Sequence, residues 1–302
     1  VSDLAQLTER AEDLGFDVHI TSHLLLPPSL EQKFGNKYVL DSNLIIAAIA
    51  NSTESVRMGL TCIAPLLHPL MWAKILSTLD NITRGRLIPE IAVGWWEPEF
   101  QALGIDIRKR GAMTNEQIEI MKKLWTEDET TYDGKFYHLE RVRLEPKPVQ
   151  TPHPPIWIAC GESPNFMPAV KRTAKYGDVW FPIWPTVEEV KRYFPKLKEE
   201  CERVGRKAKM AIFAYAATAR DKETVDNIHF PKLVREPWFK SREQVEKVCI
   251  VGTPEQCAER IEQYLKAGVS YFVLDLQYHG GVPTSYAFEQ MEMFANEIIP
   301  CL

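Results

Sequence analysis

The feature that most constrains this chain is the order of its apolar segments: short runs rich in β-branched and aromatic residues alternate with stretches of helical period along almost its whole length. The short runs fall at residues 16–21, 56–63, 87–93, 156–160, 178–181, 209–216 and 271–276. Helical period fills 42–51, 69–81, 114–127, 164–176, 186–204, 254–267 and 285–299. Runs of this kind predict parallel strands buried on both faces. The chain opens on a helix, because Leu4, Leu7, Ala11 and Leu14 share one helical face and Gly15 stops it. Seven strands, each followed by a helix, thus come after a helix with no strand of its own. A closed (β/α) barrel has eight of each. The predicted fold class is therefore α/β, a (β/α)8 TIM barrel with its first β-strand missing from this chain, either truncated or unplaced. A seven-stranded or open α/β sheet is the competing reading.

Local signals agree with this division. Thr114 and Gln117 have capping-box spacing, Pro254 follows Thr253 at a first-turn position, and Gly205 and Gly268 close their helices. Two excursions interrupt the alternation within a single domain spanning 1–302. The first, 130–155, carries a hairpin turn at Asp133 and Gly134 and then five prolines. The second, 221–251, is polar and proline-punctuated and lies over the barrel mouth or along its edge.

Composition narrows the partners. A formal net charge of −5 supplies no field for nucleic acid or anionic lipid, and no apolar run is long enough to span a bilayer. The first 14 residues are charged and amphipathic rather than a leader, so the expected location is cytoplasmic. Six cysteines without a CxxC pair and seven histidines without HxH or HExxH spacing offer neither a disulfide framework nor a metal site. GxGxxG and GxxxxGK[ST] are both absent. A small-molecule substrate remains, with neither nucleic acid nor membrane as partner.

In a barrel, chemistry sits in the loops that leave the carboxyl ends of the strands. Ser22 and His23 come first, followed by a long loop. An imidazole there can exchange a proton with a substrate oxygen near neutral pH, and it can equally be a hydrogen-bonded structural residue. Thr61, Cys62 and Ile63, with Ala64 and Pro65, make an apolar turn able to back a planar ring. Gly94 permits close backbone approach, and Trp95 and Trp96 offer flat apolar surface for a ligand or for packing. Cys160, Gly161, Glu162 and Ser163 lead into a helix whose amino terminus suits a phosphate, although Glu162 is itself an anion.

Four stretches make the chain resemble the bacterial luciferase-like family of flavin and deazaflavin oxidoreductases: AEDLGFD (11–17), HPLMWAKILSTLDNITRGRLIPEIAVGWWEPEFQALGID (68–106), GKFYHLERVRLEPKPVQTPHPPIWIACGES (134–163) and VGTPEQCAERIEQYLKAGV (251–269). The resemblance implies a barrel that binds coenzyme F-420 (a deazaflavin) or, alternatively, flavin mononucleotide (FMN). The ring would lie at the mouth, with its phosphate at 161–163. It also implies a substrate-side histidine at His23 and a non-proline cis peptide behind the ring, for which Cys62 and Ile63 are the matching positions. Family precedent adds a homodimer. Ser22 stands where the family commonly places an acidic residue. Trp95 stands where sugar-phosphate-oxidising relatives carry a catalytic glutamate, so that substrate is not supported.

The leading expectation is hydride transfer between the deazaflavin and a small organic substrate, with His23 exchanging the proton and Trp95 walling the site. An FMN-dependent monooxygenase is the alternative, in which the protein shields the oxygenating chemistry from water. A non-catalytic flavin-binding barrel is the third, since a fold does not guarantee an activity.

Overall fold

A computed structural model describes residues 2–21, 40–161, 166–236, 238–276 and 283–302. The first half of the chain runs α1 (Ser2–Asp13), β1 (Val18–Thr21), α2 (Ser42–Ile49), β2 (Arg57–Ile63), α3 (Pro69–Ile82), β3 (Leu87–Ala92), α4 (Glu97–Ala102) and α5 (Arg110–Thr126). A hairpin of β4 (Thr130–Asp133) and β5 (His138–Val142) follows, then β6 (Trp157–Cys160), α6 (Phe166–Tyr176), β7 (Val179–Pro182), α7 (Val187–Arg203) and β8 (Lys209–Thr218). The rest comprises α8 (Lys222–Thr224), a π-helical turn (Val225–His229), α9 (Phe230–Val234), α10 (Arg242–Val248), β9 (Ile250–Gly252), α11 (Pro254–Ala267), β10 (Tyr271–Asp275) and α12 (Thr284–Met293).

Seven strands pair in the order β1, β2, β3, β6, β7, β8, β10, every pair parallel. These are the seven runs read from the sequence. β1 and β10 end the path and approach each other, so the parallel sheet is curled. β9 is an addition to that reading. It lies parallel to the carboxyl end of β8, with Ile250 opposite Ala216, and at three residues it is too short to carry a period.

Side chains alternate across each strand, as a two-residue period requires. Ile88, Trp157, Ala159, Val179, Phe181 and Ala211 meet inside the curl. Their strand neighbours Leu87, Ile91, Ile158, Trp180, Met210 and Ile212 turn outward and pack with the helices. Arg86, just before β3, ties the amino-terminal end together. Its guanidinium donates to Thr53 Oγ1 and to the carbonyls of Ala50, Thr53, Val56 and Thr83, at 2.7–3.0 Å.

Several local expectations change. Thr114 is no cap: it is buried within α5, and its hydroxyl donates to the Arg110 carbonyl at 2.8 Å. The helix begins earlier because the single turn over Ile107–Lys109, capped by Asp106, runs straight into it. Pro254 does stand in the first turn of α11, where Thr253 and Gln256 form a capping box that was not among the sequence expectations, and Gly268 ends the helix at φ +108°, a conformation that a β-carbon opposes. In the first excursion the turn spans four residues, with Gly134 N–H donating to the Tyr137 carbonyl at 3.0 Å. The Cys62–Ile63 peptide is trans. The cis bonds among the described residues are Glu145–Pro146 and Thr151–Pro152.

Candidate active site

Parallel pairing brings the carboxyl ends of β2, β3, β6, β7, β8 and β10 to one end of the curl. By the alternation above, its inner wall there is Thr61 and Ile63 of β2, Glu90 and Ala92 of β3, Ala159 of β6, Phe181 of β7, Phe213 and Tyr215 of β8, and Val273 and Asp275 of β10. This wall is mostly apolar and contains two carboxyl groups.

The sequence-predicted residues divide into four groups. Thr61, Ile63, Gly94 and Trp95 come together. Gly94 has φ +79°, and a β-carbon on it would lie 2.7 Å from both Ile63 Cγ2 and the Phe100 ring, so only glycine fits the turn. That turn throws Trp95 outward to 51% exposure, beside Trp96 at 5.3 Å and Trp238 at 5.7 Å between ring centroids. Cys62 and Cys160 face the other way, into the core beneath the helices. Burial pushes the Cys62 thiol well up and the Cys160 thiol to about 12, so only their backbone can meet a ligand at the mouth. Gly161 ends β6 exposed, with open space around its α-carbon. His23, Glu162 and Ser163 lie outside the described residues.

Other residues at the mouth carried weaker sequence signals or none. Glu90 is 1% exposed, and Thr61 Oγ1 donates to its Oε2 at 2.6 Å. Its Oε1 is buried without a hydrogen-bond partner among the described residues. Burial raises the carboxyl to about 8 against the opposing pull of the Thr61 bond, so the acid is neutral at neutral pH. Its signal was visible as one carboxylate inside the run LIPEIA. Trp184 follows β7 at φ +49°, its indole N–H likewise buried and unpaired among the described residues.

Trp238 lies in the second excursion, whose polar sequence gave no hint of it. The ring sits 5.7 Å from Trp95 and 5.6 Å from Trp184, and so joins the loop after β3 to the loop after β7. The excursion therefore lies over the mouth. Its underside packs on the end of β8 through Phe230, Leu233 and Phe239 against Tyr215 and Ala217. Burial, then Asp275 and Glu236, push the Tyr215 phenol far above its usual range, while a hydrogen bond from Trp238 works against them. Burial and the facing Asp275 raise Glu236 to about 7. Such a site can clasp a flat, weakly polar ring, keep water from it and offer it a neutral acid. Among the described residues, no three His, Cys, Asp or Glu side chains are placed to hold a metal ion, and no helix is long and apolar enough to cross a membrane.

Known proteins similar in sequence or in fold are numerous. The FMNH(2)-dependent dimethylsulfone monooxygenase of Pseudomonas putida is 25% identical over 332 residues, covering 98% of this chain and 86% of that protein. An F420-dependent secondary alcohol dehydrogenase, solved with an F420-acetone adduct, superposes with a TM-score of 0.81 at 18% identity, over 99% of this chain and 94% of that one. The oxygenating constituent of 3,6-diketocamphane monooxygenase from Pseudomonas putida, solved with FMN, gives 0.75 at 18% identity, over 99% and 92%. At these identities the two structures speak for the fold. The family model for luciferase-like monooxygenases matches residues 1–233 of the 302, and the chain belongs to that family.

Proposed function

We propose that the chain is a flavin-dependent monooxygenase of the (β/α)8 barrel type, taking reduced FMN at the mouth and a small organic substrate beside it. The observation that carries this is the aromatic cover Trp95–Trp238–Trp184 over an apolar inner wall, a shape suited to a planar ring and to keeping water from it. The similarity to an FMNH(2)-dependent enzyme over 98% of the chain supports flavin as the ring.

The residues present fit such a group. Ala92 and Ala159 are the small side chains of the inner wall above Glu90, and among the described residues the Trp184 N–H and Glu90 Oε1 are buried polar atoms without a hydrogen-bond partner. Gly161, with Glu162, Ser163 and the start of α6, would hold the phosphate; Thr61 and Ile63 would flank the ring, and the backbone of Cys62 and Cys160 would back it. When bound, reduced flavin supplies the electrons that activate oxygen. The protein's share is to hold the ring, exclude water through Trp95 and Trp238, and exchange a proton with a substrate oxygen through His23. A homodimer and a cytoplasmic setting complete the reading.

The second reading, hydride transfer with coenzyme F-420, is favoured by the superposition on the F420-dependent dehydrogenase. Titrating the purified protein with FMN and with coenzyme F-420, each followed by fluorescence, separates them. Tight binding of FMN is expected. Tight binding of the deazaflavin alone would replace the first reading with the second.

A further inference from the structure

Glu90 sits where a barrel strand needs no charge. Leu87, Ile88 and Ile91 on the same strand are buried at 0–1% exposure, and an unpaired carboxyl in that setting costs stability that an isosteric apolar residue would not. Nor does it serve as half of an ion pair: no salt bridge to it occurs among the described residues. Thr61, directly opposite on β2, donates to Oε2, and among the described residues Oε1 has no hydrogen-bond partner.

The space above it is the second observation. Moving toward the mouth, the next inward residue on β3 is Ala92, which is partly exposed. On β6, Trp157 is level with Glu90 and the next inward residue is Ala159. Two adjacent strands thus carry only a methyl group between the acid and the opening, whereas β7 and β8 fill the corresponding inner wall with Phe181, Phe213 and Tyr215. The acid thus lies beneath the two smallest side chains of this inner wall.

Resting on the flavin reading above, we propose that Glu90 is a protonated hydrogen-bond donor in the floor of the mouth. The ligand it takes is a planar heteroaromatic ring that turns an acceptor lone pair, a ring nitrogen or carbonyl oxygen, toward Oε1. A neutral acid offers one O–H and no net charge, so it selects an electron-rich acceptor and would reject it once ionised. Among the titratable groups around Glu90, the Cys62 thiol on β2 is itself raised and neutral. On β6 the facing residue is the uncharged Trp157, and on α3 Asp80 is engaged by Gln150 at the far end of β3. Across the interior stand Tyr271, Tyr215 and Asp275, on β8 and β10.

The test uses the whole protein and the isosteric Glu90→Gln variant, which keeps an N–H donor and cannot ionise. In the ligand-free protein, the infrared difference between wild type and E90Q is expected to contain the carbonyl band of a protonated carboxylic acid, lost as pH rises through about 8. Wild-type affinity for FMN, read by fluorescence quenching, should fall about tenfold across the same pH interval, the loss of one hydrogen bond from a buried group. E90Q should hold its affinity throughout, and Ala92→Leu should lose FMN binding while keeping the infrared band. Absence of that band below pH about 8, or an FMN affinity with the same pH profile in wild type and E90Q, would overturn the assignment and leave the flavin reading standing. Failure of both FMN and coenzyme F-420 to bind wild type at any pH would overturn the two together.

Discussion

Single side chains hold parts of this protein that no sequence pattern announces. Glu12, near the end of α1, reaches the turn before β2. It accepts from the Ser55 hydroxyl at 2.6 Å and from the backbone N–H groups of Glu54, Ser55 and Val56. Those bonds, the Ser55 hydroxyl first, pull its carboxyl down to about 2. A lowered acid stabilises the fold above its ordinary value of 4.5, and the contribution disappears as pH falls through about 2. Glu12→Gln is therefore expected to cost about 1 kcal/mol at neutral pH, a figure discounted for solvent screening. Thermal melts should show the two proteins converging as pH drops toward 2; a gap that stays constant with pH would refute the ionic origin. Glu12 falls inside the AEDLGFD stretch, but its partners lie 42–44 residues away and three are backbone groups, which carry no side-chain signature. Glu90 is the converse case. Its oddity was visible within its own strand, but its meaning depends on Thr61 of β2 and Ala159 of β6, which the sheet brings beside it, together with Ala92 of its own strand.

Elements were legible where their own residues decide them. The strand runs survive because the helices bury one face of most of them and the inner packing the other, so the runs are largely apolar, and the structure places the same seven along the sheet. Helix ends separate true from false signals. Thr253 and Gln256 form their box because Pro254 starts α11 and no turn precedes it that could extend the helix backward. Thr114 and Gln117 have the same spacing, but Asp106 supplies an earlier cap, and both residues became interior; Gln117 now donates to the Leu67 carbonyl and the Tyr137 hydroxyl. A spacing rule sees the two pairs as equals, while only one pair lies at a chain reversal. Thr253→Ala should lower stability to urea by about 1 kcal/mol, as loss of an N-cap does, whereas Thr114→Ser should leave the start of α5 unchanged. Amide hydrogen exchange at the first turn of α11 checks the former, and unaltered protection there would show that the box contributes nothing.

At the scale of the whole molecule, the parallel sheet brings the loops to one end, and the second excursion decides how open that end is. Sequence placed this segment over the mouth or beside it. The choice rests on long-range packing of Phe230, Leu233 and Phe239 on β8, and of Trp238 between Trp95 and Trp184, which a local pattern does not contain. Electrostatics then make the cover sensitive to pH. Glu236 on the excursion faces Asp275 at the end of β10, and with burial this raises Glu236 to about 7. An acid raised in the folded state favours that state fully below its ordinary value of 4.5, and the advantage is lost as pH rises through about 7, when a second negative charge forms opposite Asp275. The cover should accordingly loosen above that pH. Hydrogen exchange in 221–251 and acrylamide quenching of tryptophan fluorescence are expected to increase across this interval in the wild type. In Glu236→Gln, which cannot ionise, both should stay at their low-pH level. Trp238→Ala supplies the structural control: it should expose Trp95 and Trp184 to quencher at every pH and weaken ring binding about tenfold, in keeping with the loss of an aromatic contact. Equal pH profiles in wild type and Glu236→Gln would show that packing alone holds the excursion in place.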